Sequence, residues 1–393
     1  MKYPITPEYL TELPNDLAKL YLDLEAFVLQ DICERFKASG ATETAIEQIR
    51  QLQRRGYSLE TIEKYIKKAL NLSDKEFDNL WADAIERNQS YFNAVIDTDT
   101  LATVPFDGVA FSKEIDAIQR QTLGELRNIT QSMGFAFRNG GKIQMLPITQ
   151  AYQKVLDDAS MIVQSGAASY DVAIRQATKQ LTDSGLQYVD YESGWHNRVD
   201  VAVRRAVMTG VSQLSQKYAD QECDILETPY REVSAHMGAR DLDKLNPWSN
   251  HKKWQGKVYS IRTGDKYPSI FQVCGLGEVD GLCGANCRHM YFPFVDGISE
   301  RTYTDEELAN IDPPPFTYQG REYNAYEATQ KQRQIETAIR QTKREMIAAK
   351  ALGDDTYAAK AVRLRRLKQE YSSFSKASGL PMQSAGNTKK YLS

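Results

Sequence analysis

The first hundred residues show apolar positions at helical spacing. Apolar side chains recur every three or four residues up to Gly40, which predicts a long helix that ends there. The same pattern predicts a second helix from Thr42 to Gly56 and a third that begins at Ser58. The segment Ser73-Asp74-Lys75-Glu76 has the form of a capping box, which predicts the start of a fourth helix. We therefore expect residues 1–100 to form an N-terminal helical region.

Aromatic side chains stand among the apolar positions of this region. They are Tyr21, Phe27, Tyr65, Phe77 and Trp81. A stripe of this kind suits a contact with another protein, and it suits equally a core within the region itself. We expect the first of these uses, with the N-terminal helices docking the protein onto a partner.

The helical pattern continues through residues 101–222, which lead into the core. Two glycines in Asn139-Gly140-Gly141 predict a tight turn or hairpin. Helices are predicted over four stretches, namely Phe111 to Phe137, Pro147 to Gly166, Ser169 to Gly185 and Arg198 to Ala219.

The pattern changes after Cys223. Three short stretches rich in β-branched and aromatic residues are bounded by Gly, Pro, Asn or Asp, which is typical of strands. They are Asp224 to Ala235, Gln255 to Arg262 and Ile270 to Val273. We predict a compact α+β domain over residues 223–315, with an aromatic cover at Tyr291-Phe292-Pro293-Phe294 and a rigid exit at Asp312-Pro313-Pro314-Pro315.

We expect residues 316–393 to form a basic helical C-terminal arm and tail. A helical pattern runs from Ala325 to Phe374, as one long helix or as a helical hairpin broken at Gly353-Asp354-Asp355. Between Lys331 and Lys368 it carries eleven Lys and Arg against four Asp and Glu, an excess of seven positive charges. The predicted fold is thus mainly α, with a central small α+β domain and a long basic C-terminal helix or helical hairpin.

The charge of this arm contrasts with that of the whole chain. The 393 residues have a net charge of -3, so affinity for nucleic acid has to come from a local patch. The arm is either a solvated helix or a surface that neutralises DNA phosphates without reading sequence. The candidate DNA-binding residues are Arg340, Lys343, Arg344, Arg363, Arg365, Arg366 and Lys368.

Apolar runs and cysteine usage indicate the cellular compartment of the protein. The sequence contains no apolar run of the roughly 18 residues that a membrane span needs, and its start does not resemble a signal peptide. Its five cysteines are odd in number and widely spread, which favours reduced thiols over a disulfide framework. We expect the protein to stay in the cytoplasm in which it is made.

The window from Val233 to Gly297 contains most of the residues that can bind a metal ion or act in catalysis. It holds three of the four histidines and three of the five cysteines. Cys274, Cys283, Cys287 and His289, with His236 and His251 upstream, are ligand types that zinc prefers. The spacing lacks a C-x2-C pair, and a buried Cys or His commonly serves as an apolar or hydrogen-bonded core residue. We therefore expect no cofactor and no stoichiometric zinc, with a zinc site as the alternative.

Catalysis is a second use for this window. His236, Arg240, His251 and His289 could supply a general base and a phosphate clamp, as in a metal-dependent nuclease or another hydrolase. The sequence lacks a nucleophile motif, a metalloprotease helix and a phosphate-binding Gly-rich loop. We expect no enzyme activity.

The third use is structural. A buried network of polar side chains can fix one geometry for a small domain, provided that every polar group finds a partner. The residues expected in this network are His236, Arg240, His251, Trp254, Asn286, Arg288 and His289.

Three segments of the window resemble the phage minor capsid protein 2 family, which is related to the Mu F-like head morphogenesis proteins. They are Ser234 to Arg240, His251 to Tyr259 and Gly281 to His289, in that order. The regions Asn15 to Asp83 and Ser193 to Arg205 resemble the helical lead-in of the same family.

The resemblance implies a structural, non-enzymatic component of a tailed phage virion. Such a protein would lie inside the head near the portal and assist assembly, DNA packaging or DNA ejection. Its implied partners are the portal protein, the major capsid or scaffold protein, and double-stranded DNA without sequence preference. It would be found in the host cytoplasm during assembly and inside the capsid afterwards.

Overall fold

The computed structural model describes residues 3–40, 60–96, 106–139, 142–189, 196–243 and 246–382. Long helices dominate it, and three small antiparallel sheets accompany them. This confirms the mainly α fold with a small α+β part. None of the helices in these ranges is both long enough and apolar enough to cross a membrane.

The N-terminal region consists of α1 (Pro7–Glu12), α2 (Asn15–Gly40) and α3 (Glu60–Val95). The predicted end of α2 at Gly40 is confirmed, whereas the helix predicted from Thr42 to Gly56 lies outside the described residues. The helix start predicted at Ser73 is wrong, because α3 continues through it without a break. The Ser73 hydroxyl caps no helix and instead shares a buried hydrogen bond of 2.9 Å with the Tyr21 hydroxyl.

The aromatic side chains of this region serve the protein's own core. Tyr21, Phe77 and Trp81 are buried in one large apolar cluster. The rings of Phe27 and Tyr65 stack on each other with their centroids 3.9 Å apart. The predicted docking stripe is therefore internal, since its members pack against neighbouring helices of the same chain.

A helix and a hairpin follow. α4 spans Gly108–Gln131, and β1 (Met133–Asn139) pairs antiparallel with β2 (Lys142–Pro147). The prediction of helix up to Phe137 is thus wrong in its last turns. Met133, Phe135 and Phe137 are buried at every second position, which is the period of a strand rather than of a helix.

The next elements complete the main body. They are α5 (Ile148–Gln164), α6 (Tyr170–Ser184), β3 (Gln187–Val189), β4 (His196–Arg198) and α7 (Val199–Ile225). The caps predicted at Ser169 and Gly185 are confirmed, with the Ser169 side chain accepting a hydrogen bond from the Val172 amide. β1 to β4 form one antiparallel sheet in the order β2-β1-β3-β4.

The small α+β part is built on a three-stranded antiparallel sheet in the order β6-β5-β7. Its strands are β5 (Tyr230–Val233), β6 (Val258–Ser260) and β7 (Tyr291–Phe294). Around it lie a 3-10 turn (Pro247–Ser249) and the short helices α8 (His251–Trp254), α9 (Ile270–Cys274) and α10 (Asp305–Ala309).

Two predictions in this part are wrong. Residues 270–273 belong to the helix α9, which follows Ser269 and ends at Gly275 in the left-handed conformation. A Ser before the first turn and a Gly after the last turn are typical of a helix. Residues 291–294 form an edge strand of the three-stranded sheet rather than an aromatic cover over it, because β7 pairs along its length with β5.

The C-terminal part begins with a short hairpin, β8 (Phe316–Tyr318) and β9 (Arg321–Tyr323). α11 (Ala325–Leu352) and α12 (Tyr357–Ser378) follow and pack against each other. The helical hairpin is confirmed, with its break at Gly353 in the left-handed conformation (φ 73°). Asn324 and Glu327 form a capping box at the start of α11.

Three apolar clusters hold these elements. The largest joins the helices α1 to α7 with the four-stranded sheet and includes Phe292 of β7 and Ile347 of α11. A second cluster lies under the small sheet around Trp254, Tyr259 and Cys287. The third lies between α11, α12 and the β8–β9 hairpin.

Candidate functional site

A cluster of buried imidazole rings lies beside the three-stranded sheet. The ring of His236 stacks on that of His289, with centroids 4.3 Å apart. Trp254 contacts both His251 (4.5 Å) and His289 (4.9 Å). All four side chains are buried, with at most 6% of each residue exposed. The structure thus brings these four of the seven residues expected in a polar network into ring contact, and Arg240 joins them by sharing the Asp280 carbonyl oxygen with His251.

Gln255 links two of these histidines. Its Oε1 accepts a hydrogen bond from the backbone N–H of His236 (3.1 Å) and lies 3.0 Å from Nε2 of His289. Since an amide nitrogen cannot accept from a backbone N–H, the first contact fixes which end of the Gln255 amide points inward. The atom facing His289 is therefore an acceptor, and Nε2 of His289 has to carry a proton.

Asp280 anchors the other side of the cluster through its backbone and its side chain. Its carbonyl oxygen lies 2.9 Å from Nε2 of His251 and accepts from Nη1 of Arg240 at 3.0 Å. Its carboxylate accepts from the Trp248 indole (2.9 Å) and from the Ser249 hydroxyl (2.7 Å). Through these hydrogen bonds, Asp280 connects the loop in which it lies to both the 3-10 turn and α8.

The sulfur of Cys287 faces two imidazoles. Its Sγ lies 3.5 Å from Nδ1 of His289 and 3.7 Å from Nδ1 of His251. The backbone N–H of His289 also points at this sulfur at 3.4 Å. One ligand atom from each of these three residues lies within 4.8 Å of the others. This group has the donor types that bind a soft divalent metal ion.

Burial keeps these imidazoles uncharged at neutral pH. It lowers the pKa of His251 to about 4 and that of His236 to about 3. It also holds the pKa of His289 well below its usual value, with the neighbouring His236 as a second cause. Burial raises the pKa of the Cys287 thiol, which the backbone N–H of His289 and the nearby arginines partly oppose. The rings are therefore neutral acceptors or metal ligands rather than cations.

The other predicted site residues lie elsewhere. Asn286 is exposed in a turn with φ 59°, outside the network. Nη1 of Arg288 lies 3.5 Å from the Thr11 hydroxyl of α1, and its positive charge contributes to the lowered pKa of His236 without a hydrogen bond to the imidazoles. Cys283 donates to the carbonyl oxygen of His289 (3.4 Å), and Cys274 lies against Tyr259. The four metal candidates expected from the sequence thus do not converge, and His251 takes the place of Cys274 and Cys283.

Sequence reasoning missed Gln255 and Asp280. Gln255 follows Trp254 directly and lies within the segment His251 to Tyr259 that carries the family resemblance. Its position was therefore a signal that its side chain takes part in the buried network. Asp280 lies in a Gly-rich loop with no recognisable pattern. Its contacts with His251 and Arg240 are made by its backbone carbonyl oxygen, which the identity of a side chain cannot reveal.

The candidate DNA-binding residues separate into two groups. Those of α11 face inward. Lys343 and Arg344 are 6% and 5% exposed, and Nε of Arg344 donates to the Thr182 carbonyl at 2.9 Å. Arg340 is mostly covered and lies 3.7 Å from Asp200. These three side chains are committed inside the protein, so they are not available to phosphate in this conformation.

The candidates on α12 face solvent. Arg363, Arg365, Arg366 and Lys368 are all exposed. Arg363 lies 3.5 Å from Glu345. Within the described residues, the other three form no ion pair, and neither does the exposed Lys376 in the last turn of the helix. We call Arg365, Arg366, Lys368 and Lys376 the α12 basic face.

Comparison with known proteins points to one family. The family model of phage minor capsid protein 2 matches residues 5–375. A structural protein of Lactococcus phage LL-H is 25% identical over 258 residues, which cover 63% of this chain and 62% of that protein. A structural protein of Lactococcus phage mv4 is 28% identical over 102 residues, covering 25% of this chain and 71% of that protein.

The matches cover different shares of this chain and of its relatives. The chain spans slightly less than two thirds of the LL-H protein's length. No solved structure matches the chain significantly. The family description and the names of both relatives describe structural components of a virion and name no enzyme. Since the family model covers nearly the whole sequence, the chain belongs to the phage minor capsid protein 2 family.

Proposed function

We propose that this minor capsid protein lies inside the phage head near the portal vertex and contacts the packaged double-stranded DNA through the α12 basic face. In this role it assists assembly, DNA packaging or DNA ejection without catalytic turnover. Its protein partners are the portal protein and the major capsid or scaffold protein, which it meets in the host cytoplasm during assembly.

The observation that carries the proposal is the isolation of the α12 basic face. Its four cations are exposed, and no acidic side chain among the described residues pairs with them. Glu370, the one acidic residue of α12, pairs instead with Lys331 of α11 at 3.3 Å. The whole chain has a net charge of -3. The α12 basic face is thus a positively charged patch on an acidic protein, and it would attract a phosphate backbone.

The DNA contact is tested with the full chain and a variant in which Arg365, Arg366, Lys368 and Lys376 are all replaced by Gln. Binding to double-stranded DNA of arbitrary sequence is measured at several salt concentrations. Each phosphate contact contributes about 0.9 to the slope of log affinity against log salt concentration. We expect the variant to bind more weakly and with a shallower slope than the wild type.

The matched control removes four exposed cations from other helices. It replaces Lys67, Lys68, Lys113 and Arg120 by Gln. This control changes the net charge by the same amount, so long-range attraction is reduced equally in both variants. Equal losses in the two variants would contradict a contact at α12 and would indicate non-specific attraction by the whole surface.

The location near the portal is tested by expressing the protein together with the portal protein or with the major capsid protein. We expect cosedimentation with the portal protein. Cosedimentation with the major capsid protein alone would contradict the location while leaving the DNA contact open to its own test.

A further inference from the structure

We propose that His251, Cys287 and His289 form a binding site for one zinc ion. Our sequence analysis expected no stoichiometric zinc, and its alternative used Cys274 and Cys283 as ligands. The spatial arrangement points to a different set, with two imidazoles and one thiolate contributed by α8 and the segment 287–289.

The two sulfur-to-nitrogen distances match those of a tetrahedral zinc site in which a water molecule would take the fourth position. Zinc binds sulfur at about 2.3 Å and imidazole nitrogen at about 2.1 Å, so tetrahedral angles place the sulfur and each nitrogen about 3.6 Å apart. The measured distances from Cys287 Sγ are 3.5 Å to Nδ1 of His289 and 3.7 Å to Nδ1 of His251. Both edges therefore have the length that one shared ion requires.

The outer partners of the two rings orient Nδ1 of each towards that ion. Nε2 of His251 faces the Asp280 carbonyl oxygen, and Nε2 of His289 faces Oε1 of Gln255. Both outer groups are acceptors, so both Nε2 atoms carry the proton and both Nδ1 atoms have a free lone pair. Metal-binding histidines have this arrangement, in which an outer carbonyl or carboxylate fixes the tautomer.

Proton counting disfavours a purely hydrogen-bonded cluster. The Cys287 thiol has one proton and can donate it to only one of the two Nδ1 atoms. The remaining Nδ1 lone pair then faces a sulfur lone pair in a site where all three residues are at most 4% exposed. A buried acceptor without a donor costs roughly 1–3 kcal/mol. A divalent cation satisfies all three lone pairs together.

The surroundings suit a structural ion. Trp254 and His236 cover the rings of His251 and His289, which keeps bulk water away from these ligands. The backbone N–H of His289 points at the sulfur and favours its thiolate form. Bound zinc would hold the start of α8 against the segment 287–289, and so stabilise the small sheet rather than act on a substrate.

The first experiment uses the wild-type full chain without a histidine tag. The protein is stripped with a chelator under reducing conditions and titrated with Co²⁺, whose visible spectrum reports tetrahedral thiolate coordination. We expect a band that saturates at about one Co²⁺ per chain and is lost when Zn²⁺ is added. Absence of this band, together with no zinc in protein purified without chelator, would overturn the proposal.

The second experiment identifies the ligands. Cys287→Ser and His251→Asn should lose the band, whereas the matched controls Cys283→Ser and Cys274→Ser should retain it. Retention of the band in Cys287→Ser, or its loss in Cys283→Ser alone, would overturn this ligand set. Circular dichroism accompanies each titration to detect variants that lose the band because they fold poorly, and the wild-type titration decides the proposal independently of any variant.

Discussion

The two helices of the C-terminal hairpin carry the same number of Lys and Arg residues, six each. Their fates differ. On α11, Lys343 and Arg344 are buried against the rest of the protein, whereas on α12 the cations from Arg363 onwards face solvent. A count of charges along the sequence treats these helices as one basic arm. The fold buries two cations of α11 and leaves two others, Arg333 and Lys350, exposed, whereas five of the six cations of α12 are exposed.

The difference follows from which face of each helix is covered. α11 lies between α12 on one side and α2 and α6 on the other, so little of its circumference is left to solvent. Arg344 meets the buried Glu25 (3.8 Å) there, and Glu25 also pairs with Arg198 (3.2 Å). α12 packs against α11 and the β8–β9 hairpin, which leaves its outer side exposed. Charge predicts a binding surface only after burial and pairing are known.

The largest expected effect comes from removing a buried cation of α11. Arg344→Met keeps much of the side-chain volume but leaves Glu25 with one cationic partner fewer and the Thr182 carbonyl without its donor. Breaking a buried pair in this way costs about 3–5 kcal/mol. We expect a loss of about 3 kcal/mol in the free energy of unfolding, measured by chemical denaturation.

The matched control for this variant is Arg366→Met on α12. It makes the same chemical change at an exposed position, where substitutions usually stay within about 0.5 kcal/mol. Similar losses in the two variants would break the comparison between the helices, because burial would then not distinguish their cations.

The same contrast appears between two acids on α7. Glu222 is buried and Asp224 is exposed. Burial raises the pKa of Glu222 from 4.5 to about 8. Between these two values the unfolded chain ionises while the folded protein keeps the proton. Stability contributed by the neutral acid is therefore complete below pH 4.5 and is lost as the pH rises towards 8.

Glu222→Gln should consequently stabilise the protein at neutral pH. One proton contributes at most about 1.4 kcal/mol per pH unit, and we expect a gain of roughly 2 kcal/mol at pH 7 that shrinks towards pH 4.5. Chemical denaturation across this pH range gives the measurement, with Asp224→Asn as the control at an exposed position, where a substitution usually changes the free energy of unfolding by less than about 0.5 kcal/mol. A constant difference at all pH values would mean that Glu222 does not titrate as its burial predicts.

The sequence predicted those features that depend on local chemistry. The break of the C-terminal hairpin was predictable because Gly353 adopts a left-handed conformation that few other residues tolerate. The capping-box motif was less decisive. Ser73 and Glu76 fit it but lie inside α3, whereas Asn324 and Glu327 form a real one at the start of α11. A motif of this length marks a helix start only where the preceding chain is not already helical.

Tertiary arrangement decided the rest. His251 and Cys287 are 36 positions apart in sequence and meet only because α8 and the segment 287–289 pack together beside the small sheet. No spacing rule could have preferred His251 to Cys274 as the neighbour of Cys287. Likewise, nothing in the sequence of α11 states that the face carrying Lys343 and Arg344 would be the covered one.

The smallest expected effect concerns the α12 basic face and decides how its proposed DNA contact can be tested. Arg365, Arg366, Lys368 and Lys376 form no ion pair within the described part of the chain, so replacing all four by Gln removes no internal interaction and relieves some mutual repulsion. We expect the free energy of unfolding to change by less than about 0.5 kcal/mol per position, measured by denaturation in moderate salt. Because the fold is then unaffected, weaker DNA binding by this variant reports lost phosphate contacts. A loss of several kcal/mol would instead show that these cations support the hairpin, and the exposed helix would have to be regarded as structural in the same way as α11.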